Sequence, residues 1–336
     1  ATKAIAWDRD GKAVAEGRAA IAMSNPAPGY FEQDPADWWR STAQALTEVA
    51  HRLAAARIAA IGISNQRETF GIFAADGTAL RPGMVWLDDR AQAQQKRFGE
   101  TFGAARIHDI SGKPLDIIPC LYRMMWLKEH EPANLARAHC IAEVHAYLTF
   151  RLTGAWMSST ASADPTGAID MRRKAWSEEI LEAAGVDPAK LPRLVAPGIQ
   201  LGEVTKEAAA ATGLLPGTPV VAGGGDGQCA GAAAGVGIPG QAYVNLGTAV
   251  VSGSYGKDYA HDRAFRTEIA VADDGYIYET CMRSGTFLVD WLGREMFLVD
   301  PARRRETLAE LEAEAAASPV GAGGVVLVPY WQGCMT

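Results

Sequence analysis

The chain has 336 residues, 48% of them hydrophobic and 21% charged, with 39 acidic against 32 basic side chains and a formal charge of −7. That length corresponds to about two domains and can bury roughly three quarters of its unfolded surface, which excludes disorder and a staple-dependent mini-fold. The acidic balance speaks against a nucleic-acid or anionic-membrane partner, and five scattered cysteines without a C-x-x-C pair indicate neither a disulfide framework nor a thiolate metal site, so a reducing cytoplasm fits best.

Lys3 to Asp8 and Lys12 to Arg18 read as a strand hairpin about the turn Asp8-Arg9-Asp10-Gly11. Asp34 then caps a helix that begins at Pro35, with Asp37 in its positive first turn and Trp38, Ala45, Val49 and Leu53 on its buried face. Ile58 to Ser64 has the character of a buried strand and delivers Asn65-Gln66-Arg67-Glu68 at its carboxyl end, where α/β proteins place ligands. Phe70 to Phe73 and Met84 to Trp86 form a further strand pair ahead of a helix expected over Asp89 to Phe102.

Leu121 to Glu131 and His145 to Leu152 read as helices, with a short strand at Ala138 to Ala142 between them. Ser158 to Thr166, polar and rich in small residues, reads as a loop. Helices follow at Trp176 to Ala184 and Thr205 to Thr212, each with glycine at its end, and then a strand at Pro219 to Ala222. From Gly223 to Gly240 eight of eighteen positions are glycine. Beyond lie strands at Gln241 to Leu246 and Ala249 to Ser254 about Gly247-Thr248, and a hairpin of Thr267 to Val271 with Tyr276 to Thr280. Helices near Gly285 to Phe297 and Pro301 to Ala317 complete the chain. No stretch approaches the roughly 18 apolar residues of a membrane span.

Three clusters can carry chemistry. In Gly223-Gly224-Gly225-Asp226-Gly227-Gln228 a strand runs through glycines into a carboxylate at the start of a helix over Cys229 to Val236. The glycines would let a polyphosphate approach the backbone, with Asp226 projecting into the cleft; alternatively Asp226 only caps the helix. Gly247-Thr248 at a hairpin tip offers N–H groups and a hydroxyl to a phosphate, or is a plain turn. Arg67 and Glu68 pair a donor fork with an acceptor suited to vicinal hydroxyls, beside Trp86, an apolar plate for a sugar, with Asp88 and Arg90 nearby; the other reading is a surface salt bridge and a core tryptophan. The six histidines lack metal-ligand spacing and read as surface or satisfied core residues. P-loop, protein-kinase, G-x-S-x-G and H-E-x-x-H motifs are absent from the sequence.

The order of an opening hairpin, Gly62-Ile63-Ser64-Asn65-Gln66-Arg67-Glu68, Trp86-Leu87-Asp88-Asp89-Arg90, Leu152-Thr153-Gly154, Gly223-Gly224-Gly225-Asp226 and Leu246-Gly247-Thr248 resembles the FGGY family of carbohydrate kinases over practically the whole chain. Asp164 to Asp170 through Trp176, and Gly217 to Asp226, resemble the xylulokinase branch; Asn65-Gln66-Arg67-Glu68 resembles the glycerol kinase branch. The resemblance implies an α/β fold of two actin-like (ribonuclease H-like) domains around a cleft, residues 1–236 as the sugar-binding domain and 237–336 as the start of an incomplete nucleotide-binding domain. It implies ATP and Mg²⁺ as cofactors and a sugar or polyol as acceptor. Residue by residue, Asp226 matches the catalytic base and a minor Mg²⁺ contact, Arg67, Glu68 and Trp86 match substrate contacts, Gly247 and Thr248 match the second phosphate loop, and Lys3 matches a basic residue after the first.

The family's first phosphate loop, which carries the main Mg²⁺ aspartate, is expected immediately before Ala1, and its adenosine motif and FGGY signature beyond Thr336. The expected activity is phosphoryl transfer from ATP to a ketopentose such as xylulose, with glycerol or another polyol as the alternative acceptor. A non-catalytic actin-like sugar or nucleotide sensor and an actin-like ATPase without a sugar are the rival classes. A homo-oligomer is left open by the sequence.

Overall fold

A computed structural model describes residues 1–53, 55–247, 250–282, 285–296 and 304–328. Strands Thr2–Trp7 and Ala13–Ala19 pair antiparallel, and Asp8 Oδ1 accepts from the N–H groups of Asp10 and Lys12 to close their turn. The helix Pro35–Leu53 lies across this hairpin, as its apolar stripe requires: Trp38, Ala45 and Val49 are buried, and Asp34 Oδ1 accepts from Ala36 N at 2.9 Å to satisfy one of the orphan donors of the first turn. The contact is close because residue 17 is glycine; a Cβ there would stand 2.2 Å from the Ala45 carbonyl oxygen.

Two small sheets form the scaffold of the site. In one, Pro219–Gly225 lies between Ile61–Asn65, parallel to it, and Gln200–Glu203, antiparallel. In the other, Glu32–Gln33, Gly83–Met84, Phe70–Phe73 and Cys140–Glu143 form an antiparallel sheet in that spatial order. One core cluster, including Trp38, Phe73, Tyr147 and Val220, and another, including Phe70, Met84, Leu121 and Tyr122, bury these sheets against the helices. A four-stranded antiparallel sheet follows, ordered Ala242–Leu246, Val250–Gly256, Tyr276–Met282 and Arg266–Ile269. A third cluster joins it to the preceding part, with Ala161, Ile169 and Met171 against Ile269 and Tyr276.

The mixed α/β character and most elements agree with the sequence reading; the differences have local causes. Residues 158–166 are not a loop. They form the end of the strand Met157–Ser159, the helical turn Thr160–Ala163 and the 3₁₀ turn Asp164–Thr166, all buried. Their polarity misleads because the hydroxyls are used internally: Ser159 Oγ accepts from Ala161 N, Thr166 Oγ1 donates to Ala163 O, and Ser162 Oγ donates to Asn65 Oδ1 at 2.8 Å. The helix expected from Asp89 begins at Gln92, widens into a π turn at Gly99–Gly103 and gives way to a further helix, Ala104–Ser111. Trp176 pairs with Ile169 in a short strand, leaving Ser177 to cap the helix Glu178–Ala184. The strand Pro219–Gly225 continues through its glycines rather than stopping at Ala222.

Candidate active site

The site is organised by a bulge. Val220 and Val221 oppose Ile61 and Gly62, whereas Gly224 and Gly225 oppose Ser64 and Asn65, so Ala222 and Gly223 together face Ile63. A bulge removes an N–H from the ladder. Here Gly223 N donates instead to His145 Nε2 at 3.3 Å. That bond needs a lone pair on Nε2 and therefore a proton on Nδ1, which sits 3.4 Å from Ser158 Oγ and 3.5 Å from Thr149 Oγ1. Burial pushes the His145 imidazole down to about 3, which keeps it neutral. It is a satisfied core histidine whose acceptor serves the active strand.

The side-chain directions of the three glycines are occupied by protein. A Cβ on Gly223 would lie 2.0 Å from Ile63 O, on Gly224 2.6 Å from Val271 Cγ2, and on Gly225 2.5 Å from Arg67 Cγ. Their smallness lets the strand close on its neighbours so that it can deliver Asp226. Gly225 takes the N-cap position of the helix Asp226–Ala233, and Asp226 is its first residue. The Asp226 carboxylate keeps 65% of its side-chain surface exposed, lies 3.5 Å from Arg67 Nε, and accepts from Gly227 N at 2.9 Å.

Arg67 and Glu68 leave the end of the strand Ile61–Asn65 and are buried. The Arg67 guanidinium is bidentate on Glu279, at 3.1 and 3.0 Å, and lies 3.6 Å from Glu268. Burial alone would weaken its hold on the proton, but Glu279, Glu68, Glu268 and Asp226 outweigh burial and hold it charged. Glu68 has φ 51°, a left-handed conformation uncommon outside glycine. Two arginines hold it there: buried Arg123 donates to the Glu68 carbonyl at 2.8 Å, and Arg266 donates to its carboxylate at 2.9 Å. Arg123 also donates to Val85 O, and Trp86 N donates to Thr69 Oγ1 at 3.2 Å, which sets Trp86 beside the Glu68 segment with 38% of its surface exposed. Asp88 and Arg90 turn away: Arg90 bonds Asp88 and Glu32 and lies over the ring of Tyr30.

Sequence reasoning missed the other half of this arrangement. Arg266 stands directly opposite Glu279 in the antiparallel ladder and donates to it from Nε at 2.9 Å and Nη2 at 2.6 Å. Lys113 Nζ lies 3.0 Å from Glu268 and 3.8 Å from Asp164. Arg67, Arg266 and Lys113 thus meet Glu68, Asp164, Asp226, Glu268 and Glu279. Burial, then the charge of Glu268, pushes Asp164 well above the usual carboxylate range. Burial works in the same direction on Glu268 and Glu279, but their cationic neighbours prevail and hold both below it. Charged residues at 266 and 268, two apart on a strand and therefore on one face, were the available signal.

A cavity of about 20 Å³ borders this network, lined among others by Lys113, Ile118, Pro119, Arg266, Glu279 and Cys281. Small-molecule sites run to roughly 300–1,000 Å³, so this space must widen to take a sugar. A larger groove of about 690 Å³, by Asp34, Asp76, Arg151 and Lys206, contains none of the expected site residues.

The remaining expected residues lie elsewhere or beyond description. Lys3 pairs with Glu16 at 3.2 Å across the first hairpin, and no contact among the described residues joins it to Arg67 or Asp226. Gly247 follows the strand Ala242–Leu246 at the hairpin tip, and Thr248 lies outside the described residues. Among the described residues no three His, Cys, Asp or Glu side chains form a metal cluster. Asp226, with most of its carboxylate in solvent, is the residue here that would contribute a contact to Mg²⁺.

The profile of the N-terminal domain of the FGGY family of carbohydrate kinases matches residues 1–233. The xylulose kinase of Bacillus subtilis (strain 168) is 29% identical over 340 residues, covering 99% of this chain and 66% of the relative. The glycerol kinase of Aromatoleum aromaticum is 30% identical over 346 residues, covering 99% and 67% respectively. The crystal structure of xylulose kinase from Rhodospirillum rubrum superposes with a TM-score of 0.92 at 25% identity, over 99% of this chain and 68% of that one. The chain therefore spans about two thirds of the length of these proteins and shares the two-domain actin-like fold.

Proposed function

The chain belongs to the FGGY family of carbohydrate kinases, and on that premise we propose that its protein transfers the γ-phosphoryl group of ATP to a hydroxyl of a sugar, with a ketopentose such as xylulose as acceptor. The observation that carries this reading is the exposed Asp226 carboxylate 3.5 Å from the buried Arg67, itself anchored on Glu279, at paired strand ends. Phosphoryl transfer depends on positioning and charge neutralisation more than on covalent chemistry by the protein. Asp226 accepts the proton of the attacking hydroxyl, a contribution of about 10²- to 10⁴-fold. Arg67 and Glu68 orient the acceptor, and Trp86 packs on its C–H face. Gly247 and Thr248 hold phosphate oxygens, with Lys3 as a further basic contact to the nucleotide. ATP supplies the phosphoryl group, and Mg²⁺ would neutralise its oxygens. Residues 1–236 form the sugar-binding domain and 237–336 the start of the nucleotide-binding one, in a cytoplasmic enzyme. No helix among the described residues is long and apolar enough to cross a membrane.

A glycerol or polyol acceptor is the second reading, favoured by Asn65-Gln66-Arg67-Glu68. A coupled assay of ADP release with xylulose, ribulose, glycerol and erythritol tests both. Acceptor-dependent release supports a kinase and ranks the acceptors. Acceptor-independent hydrolysis, or none, supports an ATPase or a sensor instead.

A further inference from the structure

We propose that the Arg67–Glu279–Arg266 network makes this site selective for uncharged polyhydroxy acceptors against aldonates, with Glu279 as the residue that sets the selectivity. The inference rests on the reading of Arg67, Glu68 and Asp226 as the acceptor site and goes further in naming what the site rejects and why. An aldonate carries at one end a carboxylate where the alditol has a hydroxymethyl group, and binding it in a buried site requires a cation whose charge is not already balanced. The three cations here are already committed. Glu279 takes both terminal nitrogens of Arg67, and the same carboxylate takes Nε and Nη2 of Arg266. Arg266 Nη1 goes to Glu68, and Lys113 pairs with Glu268 and donates to the Thr267 carbonyl.

Asp164 is pushed by burial away from its charged form, and the other four carboxylates still outnumber the three cations, so an arriving carboxylate meets surplus negative charge. Hydroxyl groups suffer no such repulsion. They donate to Glu68 and Asp226 and accept the N–H groups that the arginines still have. Glu279 is fully buried on the strand Tyr276–Met282 and lines the small cavity with Arg266 and Lys113. It is therefore the group that decides whether the cations beside it remain saturated.

The test is isothermal titration of the full-length protein with xylitol against xylonate and glycerol against glycerate, with phosphoryl transfer to the acceptor panel followed in parallel. The neutral member of at least one pair binds tenfold or more tighter than its anion. Equal or tighter binding of the anion, or silence in both pairs, overturns the proposal. Glu279→Gln releases a cation and shifts the ratio towards the anion by about tenfold, the scale of one charge-assisted hydrogen bond. An unchanged ratio in a folded Glu279→Gln protein removes Glu279 from the role. Should that variant fail to melt cooperatively, Cys281→Lys adds an uncommitted cation at the cavity wall and must shift the ratio the same way. Selective binding of a neutral ligand without transfer to any acceptor refutes the kinase reading while leaving the selectivity standing.

Discussion

Gly223→Ala isolates the device that joins the fold to the site. The new Cβ stands 2.0 Å from the Ile63 carbonyl oxygen and 2.8 Å from its carbon, and both are backbone atoms that no rotamer change can move. Real Cβ atoms essentially never approach closer than 3.0 Å, so the two strands must part locally by at least about 1 Å, against an interstrand spacing of about 4.8 Å. Overpacking of this kind costs about 1–3 kcal/mol, and with backbone as the obstacle the upper end applies. At about 2–4 °C per kcal/mol, the thermal midpoint falls by roughly 6–12 °C. The separation also moves the Asn65–Glu68 segment relative to Asp226, and a misplacement of about 1 Å lowers turnover by about 10². Gly62→Ala is the control on the same strand pair: nothing lies within 4 Å of its Cβ, and stability changes by no more than about 0.5 kcal/mol. Thermal melts by circular dichroism and coupled ADP release read both quantities. A Gly223→Ala protein that melts within a degree of the parent and turns over normally refutes the bulge as the organiser of the site.

Three further expectations concern charged groups. Asp226→Asn keeps acceptor binding but loses phosphoryl transfer by at least about 10²; near-normal turnover removes Asp226 from the chemistry. Arg67→Ala weakens the acceptor far more than ATP and, by removing two of the hydrogen bonds to Glu279 while Arg266 keeps that carboxylate paired, destabilises by about 1.5–3 kcal/mol; equal weakening of both substrates in titrations makes Arg67 structural only. His145 and Glu143 give the pH profile of stability opposite signs. The His145 pKa is depressed by burial from 6.5 to about 3, so its contribution is present above pH 6.5 and is lost as pH falls towards 3, up to roughly 5 kcal/mol. Burial raises Glu143 from 4.5 to about 7 against the opposing bonds from Ser158 and Ala146, so its contribution is full below pH 4.5 and lost as pH rises through 7. Denaturant melts of His145→Gln and Glu143→Gln across pH 4 to 8 separate the two, and identical profiles for both variants and the parent overturn the assignment.

Strand ends were legible in the sequence because short apolar runs terminate in polar clusters, as Ile61–Asn65 does before Gln66, Arg67 and Glu68. Helix termini were legible wherever local chemistry decides them, at Asp34 as a cap and at Gly185 and Gly213 in left-handed C-cap positions. The failures occurred where tertiary contacts override local signals. Ser158 to Thr166 looks like a loop because a hydroxyl that satisfies itself inside a core is indistinguishable, in sequence, from one that faces water. Gly223, Gly224 and Gly225 declare in the sequence that something comes close without naming Ile63, Val271 and Arg67 as what does. Lys113, Asp164 and Glu279 were missed because each lies far along the chain from the groups it serves, with Glu279 and Arg67 separated by 212 positions.

Those distant carboxylates also explain how Asp226 can remain available. A guanidinium as buried as Arg67 requires counter-charge, and had Asp226 been its sole partner, the carboxylate would have been bound up in that pair. Glu279 supplies two aligned hydrogen bonds and Glu268 a further charge from the opposite sheet, so Asp226 faces only Nε, at 3.5 Å, and keeps most of its surface in solvent. The left-handed Glu68 is held by the same logic, its carbonyl by Arg123 and its carboxylate by Arg266. The second sheet therefore does more than follow the first: Arg266, Glu268 and Glu279 relieve the proposed base of a structural duty. Removing them is expected to tie Asp226 to Arg67 before any substrate is bound.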